Sequence, residues 1–213
     1  MGRRVLPKRD PAIDFSGKIS EVDSLPIPFD PQVLFPIVQD LEIEVGSGKG
    51  LFVLNESARN PQRNFLGNEI SHKYCRFAAY RLAQQQRPNA HMLQGDGLKL
   101  FRELLPDQSA VAVHVYFPDP WWKARHRRRR VMQPEFIRDI QRVLQPNGIF
   151  HFWTDVEEYF EETLALMSQH SQLEGPQVVA EKPAEHDLDF RTHFERRMRL
   201  LDHDVFRSQF RKT

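Results

Sequence analysis

A single carboxylate, Asp119, lies between two prolines and two aromatic residues in the stretch Phe117-Pro118-Asp119-Pro120-Trp121. Proline fixes the backbone angle φ and lacks an N–H group, so Pro118 and Pro120 stiffen the chain on both sides of Asp119. A carboxylate on a stiff loop beside an aromatic surface can orient a bound molecule by accepting its hydrogen bonds. We therefore expect Asp119 to belong to a functional site.

Basic residues follow this loop with no acidic residue among them: Lys123, Arg125, His126, Arg127, Arg128, Arg129 and Arg130. The net charge of the whole chain is only +1, which does not by itself indicate a nucleic-acid partner. The charge is unevenly distributed, however, because residues 155–190 are strongly acidic. Arginine forms bidentate hydrogen bonds with phosphate groups and guanine edges, so the basic run favours a nucleic-acid partner.

Three further carboxylates stand at the ends of predicted strands. Glu44 precedes the turn Gly46-Ser47-Gly48, Glu69 ends the next strand, and Asp96 follows the third strand. Glycines permit a tight turn and a close approach of the backbone to a ligand. Each carboxylate alone would be an ordinary turn or helix-capping residue. Ligands of doubly wound sheets bind at the carboxyl ends of the strands, so we expect the three to line one site.

The glycine turn does not fit the common phosphate-binding patterns. A P-loop requires glycine at position 43 and serine or threonine at position 50, where the chain has Ile43 and Gly50. A dinucleotide-binding fingerprint requires glycine at position 51, which is Leu51, and the carboxylate of Glu44 would repel a pyrophosphate. A nicotinamide-dependent oxidoreductase is therefore a disfavoured alternative.

S-adenosylmethionine fits the three carboxylates, because its sulfonium and ammonium groups are positive and it carries no phosphate. Glu69 is placed to accept hydrogen bonds from both hydroxyl groups of a ribose. Asp96 is placed to accept a hydrogen bond from an exocyclic amine such as that of adenine. Together with Glu44, they predict an adenosine-type cofactor.

The elements that must position these residues alternate between apolar runs and amphipathic segments. Strands are predicted at Leu41–Val45, Asn64–Ile70, Ala90–Gln94, Ala110–Phe117 and Ile149–Thr154. Helices are predicted at Leu51–Arg59, Ser71–Gln86, Leu98–Leu105, Gln133–Leu144 and Val156–Ser168. This order indicates an α/β fold with a doubly wound, mostly parallel sheet. Gln177–Ala180 and Val205–Phe210 are candidates for late strands, an antiparallel pair among the options.

The length of 213 residues and the 40% hydrophobic content favour one domain. Residues 1–36 are rich in proline and are predicted to form an extended, loosely docked N-terminal arm, which leaves residues 37–213 as the domain. No apolar run is long enough to cross a membrane, and the first residues do not resemble a signal peptide. We therefore expect a cytoplasmic protein without a membrane partner, either a monomer or a homodimer.

Other reactive side chains are expected to be structural. The lone cysteine, Cys75, is interpreted as a helix-packing residue. The nine histidines show no metal-binding spacing, so no metal site is expected. Four glutamates are interpreted as a solvated helix face: Glu157, Glu158, Glu161 and Glu162.

Over about residues 40–200, the chain closely resembles the bacterial tRNA (guanine-N7)-methyltransferase family, which belongs to the class I S-adenosylmethionine-dependent methyltransferases. The resemblance rests on the run from Glu44 to Gly50, Asn68-Glu69-Ile70, Gly95-Asp96, the stretch from Phe117 to Arg129, and Thr192-His193-Phe194-Glu195. The Phe-Pro-Asp-Pro-Trp element with its basic run is the most specific of these. The resemblance implies a Rossmann-like fold and methyl transfer to N7 of a guanosine in the tRNA variable loop, usually called position 46.

The resemblance also implies residue roles. Cofactor contacts would come from Glu44, Gly46, Gly48, Glu69, Asp96 and Asp119, and Asp119 would also be the catalytic residue. Substrate contacts would come from Lys123, Arg125, His126, Arg127, Arg128, Arg129, Arg130, Asp155, Thr192, His193, Phe194 and Glu195. Trp122 and Ala124 depart from the family, which often has proline or histidine at the first position and lysine at the second.

The chemistry of the bases agrees with these roles. N7 of guanine carries a lone pair in its neutral form, so the reaction needs alignment more than a strong base. A carboxylate such as Asp119 accepts hydrogen bonds from the Watson–Crick edge of guanine and thereby rejects adenine. Either Trp121 or Trp122 is a candidate for stacking on the base.

Two alternatives stay open on the residues alone. An adenine amino-group methyltransferase would need a second proline where the chain has Trp121. A tRNA-binding subunit without activity would not need carboxylates at positions 44, 69, 96 and 119. The intact carboxylates favour an enzyme.

Overall fold

The computed structural model describes residues 6–180 and 190–213, so the first five residues of the predicted arm lie outside the described part. The strands are β1 (Ile19–Glu21), β2 (Asp40–Val45), β3 (Arg63–Glu69), β4 (Ala90–Gln94), β5 (Ala110–Tyr116), β6 (Leu144–Thr154), β7 (Glu174–Val178) and β8 (Phe206–Arg211). The helices are α1 (Leu51–Arg59), α2 (His72–Gln84), α3 (Gly97–Lys99), α4 (Pro134–Val143), α5 (Glu157–His170) and α6 (His193–Leu200). A π-helical segment, Leu100–Leu104, continues α3.

The strands form one sheet in the order β1-β4-β3-β2-β5-β6-β8-β7. The pairs from β1 to β6 are parallel, whereas β8 is antiparallel to both β6 and β7. The chain runs outwards from β2 to β3 and β4, and then crosses to β5 and β6 on the other side. The winding therefore reverses between β2 and β5, which is where doubly wound folds bind ligands. The predicted α/β doubly wound, mostly parallel sheet is confirmed.

Helices cover both faces of the sheet. On one face, α1 and α2 pack against β3 and β4 through an apolar cluster that includes Phe52, Phe65 and Met92. On the other face, α4 and α5 pack against β6 through a larger cluster that includes Phe136 and Phe150. The central strands β2, β3 and β5 are consequently buried along nearly their whole length, which explains the near-continuous apolar sequence of β5.

The N-terminal region is docked, contrary to the prediction of a loosely docked arm. β1 pairs in parallel with β4, where Ile19 lies opposite Met92. Val22, Phe29 and Phe35 are each no more than 8% exposed and belong to the larger apolar cluster. The prediction was wrong here because these contacts are made by single apolar residues between turns, which leave no periodic pattern. The division into an arm of residues 1–36 and a domain of residues 37–213 stays a prediction.

The late part of the chain agrees with the option of an antiparallel pair, since β7 and β8 pair in that sense. One helix, α6, was not predicted. In the part of the chain that the structure describes, no helix is both long and apolar enough to cross a membrane.

Candidate active site

The predicted site residues come together at the carboxyl edge of the sheet. Glu44 lies near the end of β2 and Glu69 ends β3, while Asp96 and Asp119 follow β4 and β5. Burial is the main cause that raises the pKa of Glu69, and the negative charge of Asp119 also raises it. The two carboxylates are therefore near enough to interact. The four carboxylates therefore surround the point at which the winding of the sheet reverses.

The glycine turn after β2 is fixed on one side and open on the other. The backbone N–H groups of Gly46 and Ser47 both donate to the Asn68 carbonyl, at 2.9 Å. The φ angles of Gly46 and Gly48 are +80° and +54°, and a Cβ added to either would meet no atom within 4 Å. The turn thus leaves open space beside its backbone, in which a ligand can approach closely.

Glu44 is the most unusual carboxylate of the group. It is 2% exposed, and its Oε2 atom has no hydrogen-bond partner within the described residues. Burial raises the pKa of Glu44 to about 8, and the neighbouring charge of Glu69 adds to this effect. A buried carboxylate with a free oxygen is costly unless a donor reaches it. The ammonium group of an amino-acid ligand would supply such a donor, so Glu44 fits the predicted cofactor.

The carboxylate of Glu69 ties two elements together. Its Oε2 atom accepts from the backbone N–H of Gly48, and its Oε1 atom accepts from that of Ser71, both at 2.7 Å. Glu69 therefore joins the glycine turn to the start of α2. Asp96 is exposed and caps α3, because its Oδ1 atom accepts from the backbone N–H of Leu98 at 2.9 Å. Both residues have structural roles in addition to the predicted ligand contacts.

Residues with a strained backbone lie on both sides of Asp119. Phe117 and Trp121 have φ angles of +50° and +47°, in a region that costs a residue other than glycine about 1–3 kcal/mol. The ring of Phe117 lies 5.0 Å from that of Phe194, and the Trp121 ring lies 5.1 Å below the guanidinium of Arg129. These ring contacts hold the strained loop, so Asp119 is exposed but fixed in position. The prolines predicted a stiff loop, but not the positive φ angles.

The basic run forms a 3-10 helix, Ala124–Arg129, beside this loop. Most of its charged side chains are exposed: Lys123, Arg125, Arg127, Arg128 and Arg129, with His126 half-buried. Arg127 forms ion pairs with Glu158 at 2.5 Å and with Glu162 at 3.2 Å. Glu158 and Glu162 are therefore partners of the basic run rather than a simple solvated face of α5.

Arg130 does not belong to the exposed surface that the rest of the basic run forms, and its contact with RNA stays a prediction. It is 4% exposed, its Nε atom donates to the Pro120 carbonyl at 2.7 Å, and it forms an ion pair with Glu162. Its guanidinium lies 4.6 Å from the centre of the Tyr159 ring. Arg130 ends the 3-10 helix and turns inwards, where it fastens the Asp119 loop to α5.

The Thr-x-x-Glu motif forms the beginning of α6. The Oγ1 atom of Thr192 accepts from the backbone N–H of Glu195 at 3.0 Å, and Glu195 accepts from the N–H of Arg191 at 2.7 Å. The first contact is the N-cap bond of α6, and the second is like the return bond of a capping box but goes to the residue before the cap. Glu195 is 3% exposed and pairs with Arg199 and Arg207, both at 3.5 Å. Glu195 therefore holds the start of α6 in place, and its direct contact with substrate stays a prediction.

The rest of the motif does lie near the loop. Phe194 contacts Phe117, and exposed His193 has its Nε2 atom 3.4 Å from the Arg81 guanidinium. Asp155 directly follows β6 and is half-buried at the same edge of the sheet. The roles of these residues and of Lys123 stay predictions.

A buried polar network behind the site was not predicted. The imidazole of His114 contacts Glu42 Oε2 at 2.9 Å through Nε2 and Tyr116 Oη at 2.8 Å through Nδ1. Arg191 donates to the same Oη atom at 3.2 Å. Burial lowers the pKa of His114, so the ring is neutral near pH 7. The only signal in the sequence was a histidine within an otherwise apolar strand.

The network anchors the segment that carries the Thr-x-x-Glu motif. Besides its bond to Tyr116, the guanidinium of Arg191 lies 5.4 Å from the Trp153 ring and 5.9 Å from the Phe52 ring. The residue before Thr192 is thus held over β5 and β6. No feature of the sequence near Arg191 indicates this role.

Comparison with known proteins agrees with this architecture. A family described as "Putative methyltransferase" matches residues 39–208. A tRNA (guanine-N(7)-)-methyltransferase of Rhodopirellula baltica is 46% identical over the whole chain and 80% of that protein. One of the same name from Cupriavidus necator is 34% identical over 94% of this chain and 77% of its own length.

Solved structures share the fold at low sequence identity. The 16S rRNA methyltransferase KamB is 16% identical, with a TM-score of 0.57 over 82% of this chain and 88% of its own. The aminoglycoside resistance methyltransferase NpmB1 is 18% identical, with a TM-score of 0.56 over 84% and 89% of the two chains. At this identity the likeness shows the fold alone.

Proposed function

Because the chain belongs to the tRNA (guanine-N7)-methyltransferase family, we propose that it transfers a methyl group from S-adenosylmethionine to N7 of a guanosine in tRNA. The proposed target is the guanosine at position 46, in the variable loop. The observation that carries the proposal is the buried, partly unpaired carboxylate of Glu44 on the same sheet edge as the exposed Asp119. We place the reaction in the cytoplasm, with the enzyme acting as a monomer or a homodimer.

In this proposal, the carboxylates and the glycine turn each contact a different part of the cofactor. Glu44 accepts from the ammonium group, and the open side of Gly46 and Gly48 lies along the amino-acid part. Glu69 accepts from the ribose hydroxyls and Asp96 from the adenine amine. When bound, S-adenosylmethionine supplies an electrophilic methyl group on a sulfonium. The carboxylates suit this cation, because each favours positive charge.

Asp119 orients the target base. Its carboxylate accepts hydrogen bonds from the N–H groups on the Watson–Crick edge of guanine, an edge on which adenine has no matching pair of donors. N7 needs no deprotonation, so fixing the plane of the ring is the main requirement. The strained backbone at Phe117 and Trp121 serves this requirement by limiting the motion of the loop.

RNA docking is assigned to the exposed cations beside this loop: Lys123, Arg125, His126, Arg127, Arg128 and Arg129. Thr192, His193, Phe194 and Asp155 complete the proposed substrate surface. Arg130 and Glu195 hold that surface in place from below.

A methylation assay tests the proposal. The protein is incubated with labelled S-adenosylmethionine and two tRNA transcripts that differ only at position 46, guanosine in one and adenosine in the other. We expect 7-methylguanosine on nucleoside analysis of the first transcript alone. Cofactor binding without that nucleoside would refute the proposed reaction, and equal labelling of both transcripts would refute the proposed position.

Variants separate chemistry from docking. Asp119→Asn should abolish turnover while tRNA still binds, because the amide cannot accept two hydrogen bonds from guanine in place of the carboxylate. Arg128→Ala should weaken tRNA binding and reduce its salt dependence, since it removes a phosphate contact. Loss of binding in Asp119→Asn with unchanged binding in Arg128→Ala would reverse both roles.

A further inference from the structure

The two adjacent tryptophans of the loop lie in different environments. Trp121 is half-buried, with its ring 5.8 Å from that of His126 and 5.1 Å from the Arg129 guanidinium. Trp122 is 66% exposed, and it makes no hydrogen bond or ring contact with any residue that the structure describes. The sequence did not distinguish the two, but the structure does, because only Trp122 has a free aromatic face.

The backbone on both sides of Trp122 is fastened. The Pro120 carbonyl accepts from buried Arg130 at 2.7 Å, and the Lys123 carbonyl accepts from the N–H of His126 at 2.7 Å. The indole is therefore presented from a fixed loop, three residues after Asp119 in the chain. A pre-positioned aromatic ring loses little conformational freedom when a partner binds.

The positive charges that follow Trp122 in the chain favour RNA over a second copy of the protein as the partner of this ring. The segment that follows Trp122 in the chain exposes five cations: Lys123, Arg125, Arg127, Arg128 and Arg129. A second copy of the chain related by two-fold symmetry would bring like charges together at this face. An RNA strand offers phosphates to the cations and flat bases to the indole, and only unpaired bases have free faces to stack.

We propose that Trp122 stacks on an unpaired base of the tRNA that the basic run holds. This inference rests on the proposed function for its RNA, and it assigns an affinity role to a residue outside the proposed chemistry. Trp121 holds the loop from within and does not contact RNA. The expected gain from one stacked base corresponds to about 5- to 150-fold in affinity.

Binding of unmodified tRNA in the absence of S-adenosylmethionine tests the stacking. We expect Trp122→Leu to raise Kd by at least about 5-fold and Trp122→Phe to recover much of the loss, because leucine is apolar but has no π face. The slope of log Kd against log salt should stay that of the unsubstituted protein in both. Arg128→Ala is the matched control, and it should reduce that slope by about 0.7–0.9. Equal affinity of the leucine variant would overturn the proposal.

Tryptophan fluorescence gives a second readout. Addition of tRNA should quench the emission of the unsubstituted protein, and Trp122→Phe should remove most of this quenching. Persistent quenching in that variant would assign the contact to Trp121 and overturn the inference. A change of oligomeric state in Trp122→Leu with unchanged tRNA affinity would also overturn it, in favour of a second copy.

The same titrations keep the two proposals apart. If the unsubstituted protein binds no tRNA, the proposed function fails and the stacking fails with it. If it binds tRNA and the Trp122 variants bind equally well, only the stacking is refuted.

Discussion

Replacement of Glu44 by glutamine should stabilise the ligand-free protein and abolish cofactor binding at the same time. The Glu44 carboxylate is 2% exposed and its Oε2 atom is unpaired within the described residues, so it is unfavourable until a cation arrives. Glutamine has nearly the same shape but carries no charge. It removes the titratable group whose ionisation is unfavourable in the folded protein, and with it the partner that we propose for the ammonium of S-adenosylmethionine.

The magnitude follows from the pKa of Glu44, which burial raises from 4.5 to about 8. Between these values the folded protein binds a proton that the unfolded chain has released, so this group lowers the stability as the pH rises. Each pKa unit corresponds to about 1.4 kcal/mol, which gives a penalty of about 3 kcal/mol at pH 7. For a chain of this size, Glu44→Gln should therefore raise Tm by about 6–12 °C.

The assay is thermal unfolding of both proteins without ligand from pH 5 to pH 8. The Tm difference should be small at pH 5 and grow towards pH 8, and S-adenosylmethionine should raise Tm for the unsubstituted protein alone. Glu42→Gln is the matched control on the same strand. Burial acts to raise the pKa of Glu42, but pairing with His114 and Arg63 outweighs it and lowers the pKa. That variant should be less stable at pH 7. A Glu44→Gln protein with unchanged Tm at pH 7, or a pH-independent difference, would refute the reasoning.

Three other substitutions test the supports of the site. Arg130→Ala should lower both Tm and kcat, because it frees the Pro120 carbonyl; a change in tRNA affinity alone would instead return Arg130 to the RNA surface. Tyr116→Phe removes the hydroxyl that bridges two side chains of the buried network, and should cost about 1–3 kcal/mol in urea unfolding. Thr192→Ala should cost about 1 kcal/mol and speed hydrogen exchange in α6, whereas Thr192→Ser should retain the cap. Equal exchange in both Thr192 variants would count against the capping role.

The sheet and its carboxyl edge could be predicted because their signals are local. Strands β2 to β5 were predicted from short apolar segments that alternate with amphipathic ones, and a carboxylate at a strand end is placed by the topology alone. Glu44, Glu69, Asp96 and Asp119 were therefore found from their positions relative to the strands. Their separate structural roles could not be predicted, because a hydrogen bond such as that from Ser71 to Glu69 depends on how the next helix begins.

The orientation of side chains at the ends of short elements could not be predicted from the sequence. Arg129 is exposed and Arg130 is buried, although they are neighbours of the same type in one basic run. The difference arises where the 3-10 helix ends, and its end is set by contacts with α5 that are distant in sequence. Arg191 is a similar case, since its partner Tyr116 lies on β5. Long-range pairing of this kind leaves no local pattern.

The position of β8 has a consequence for the order in which the sheet is completed during synthesis. Among the described strands, β7 pairs only with β8, and β8 lies between β6 and β7. During synthesis β7 leaves the ribosome before β8. It therefore has no strand to pair with until Phe206–Arg211 have also left the ribosome. Until then the outer edge of β6 is also unpaired and open to other strands. This side of the protein closes by insertion of a late strand between two earlier ones, and loss of β8 would leave β7 without its partner and the outer edge of β6 unpaired.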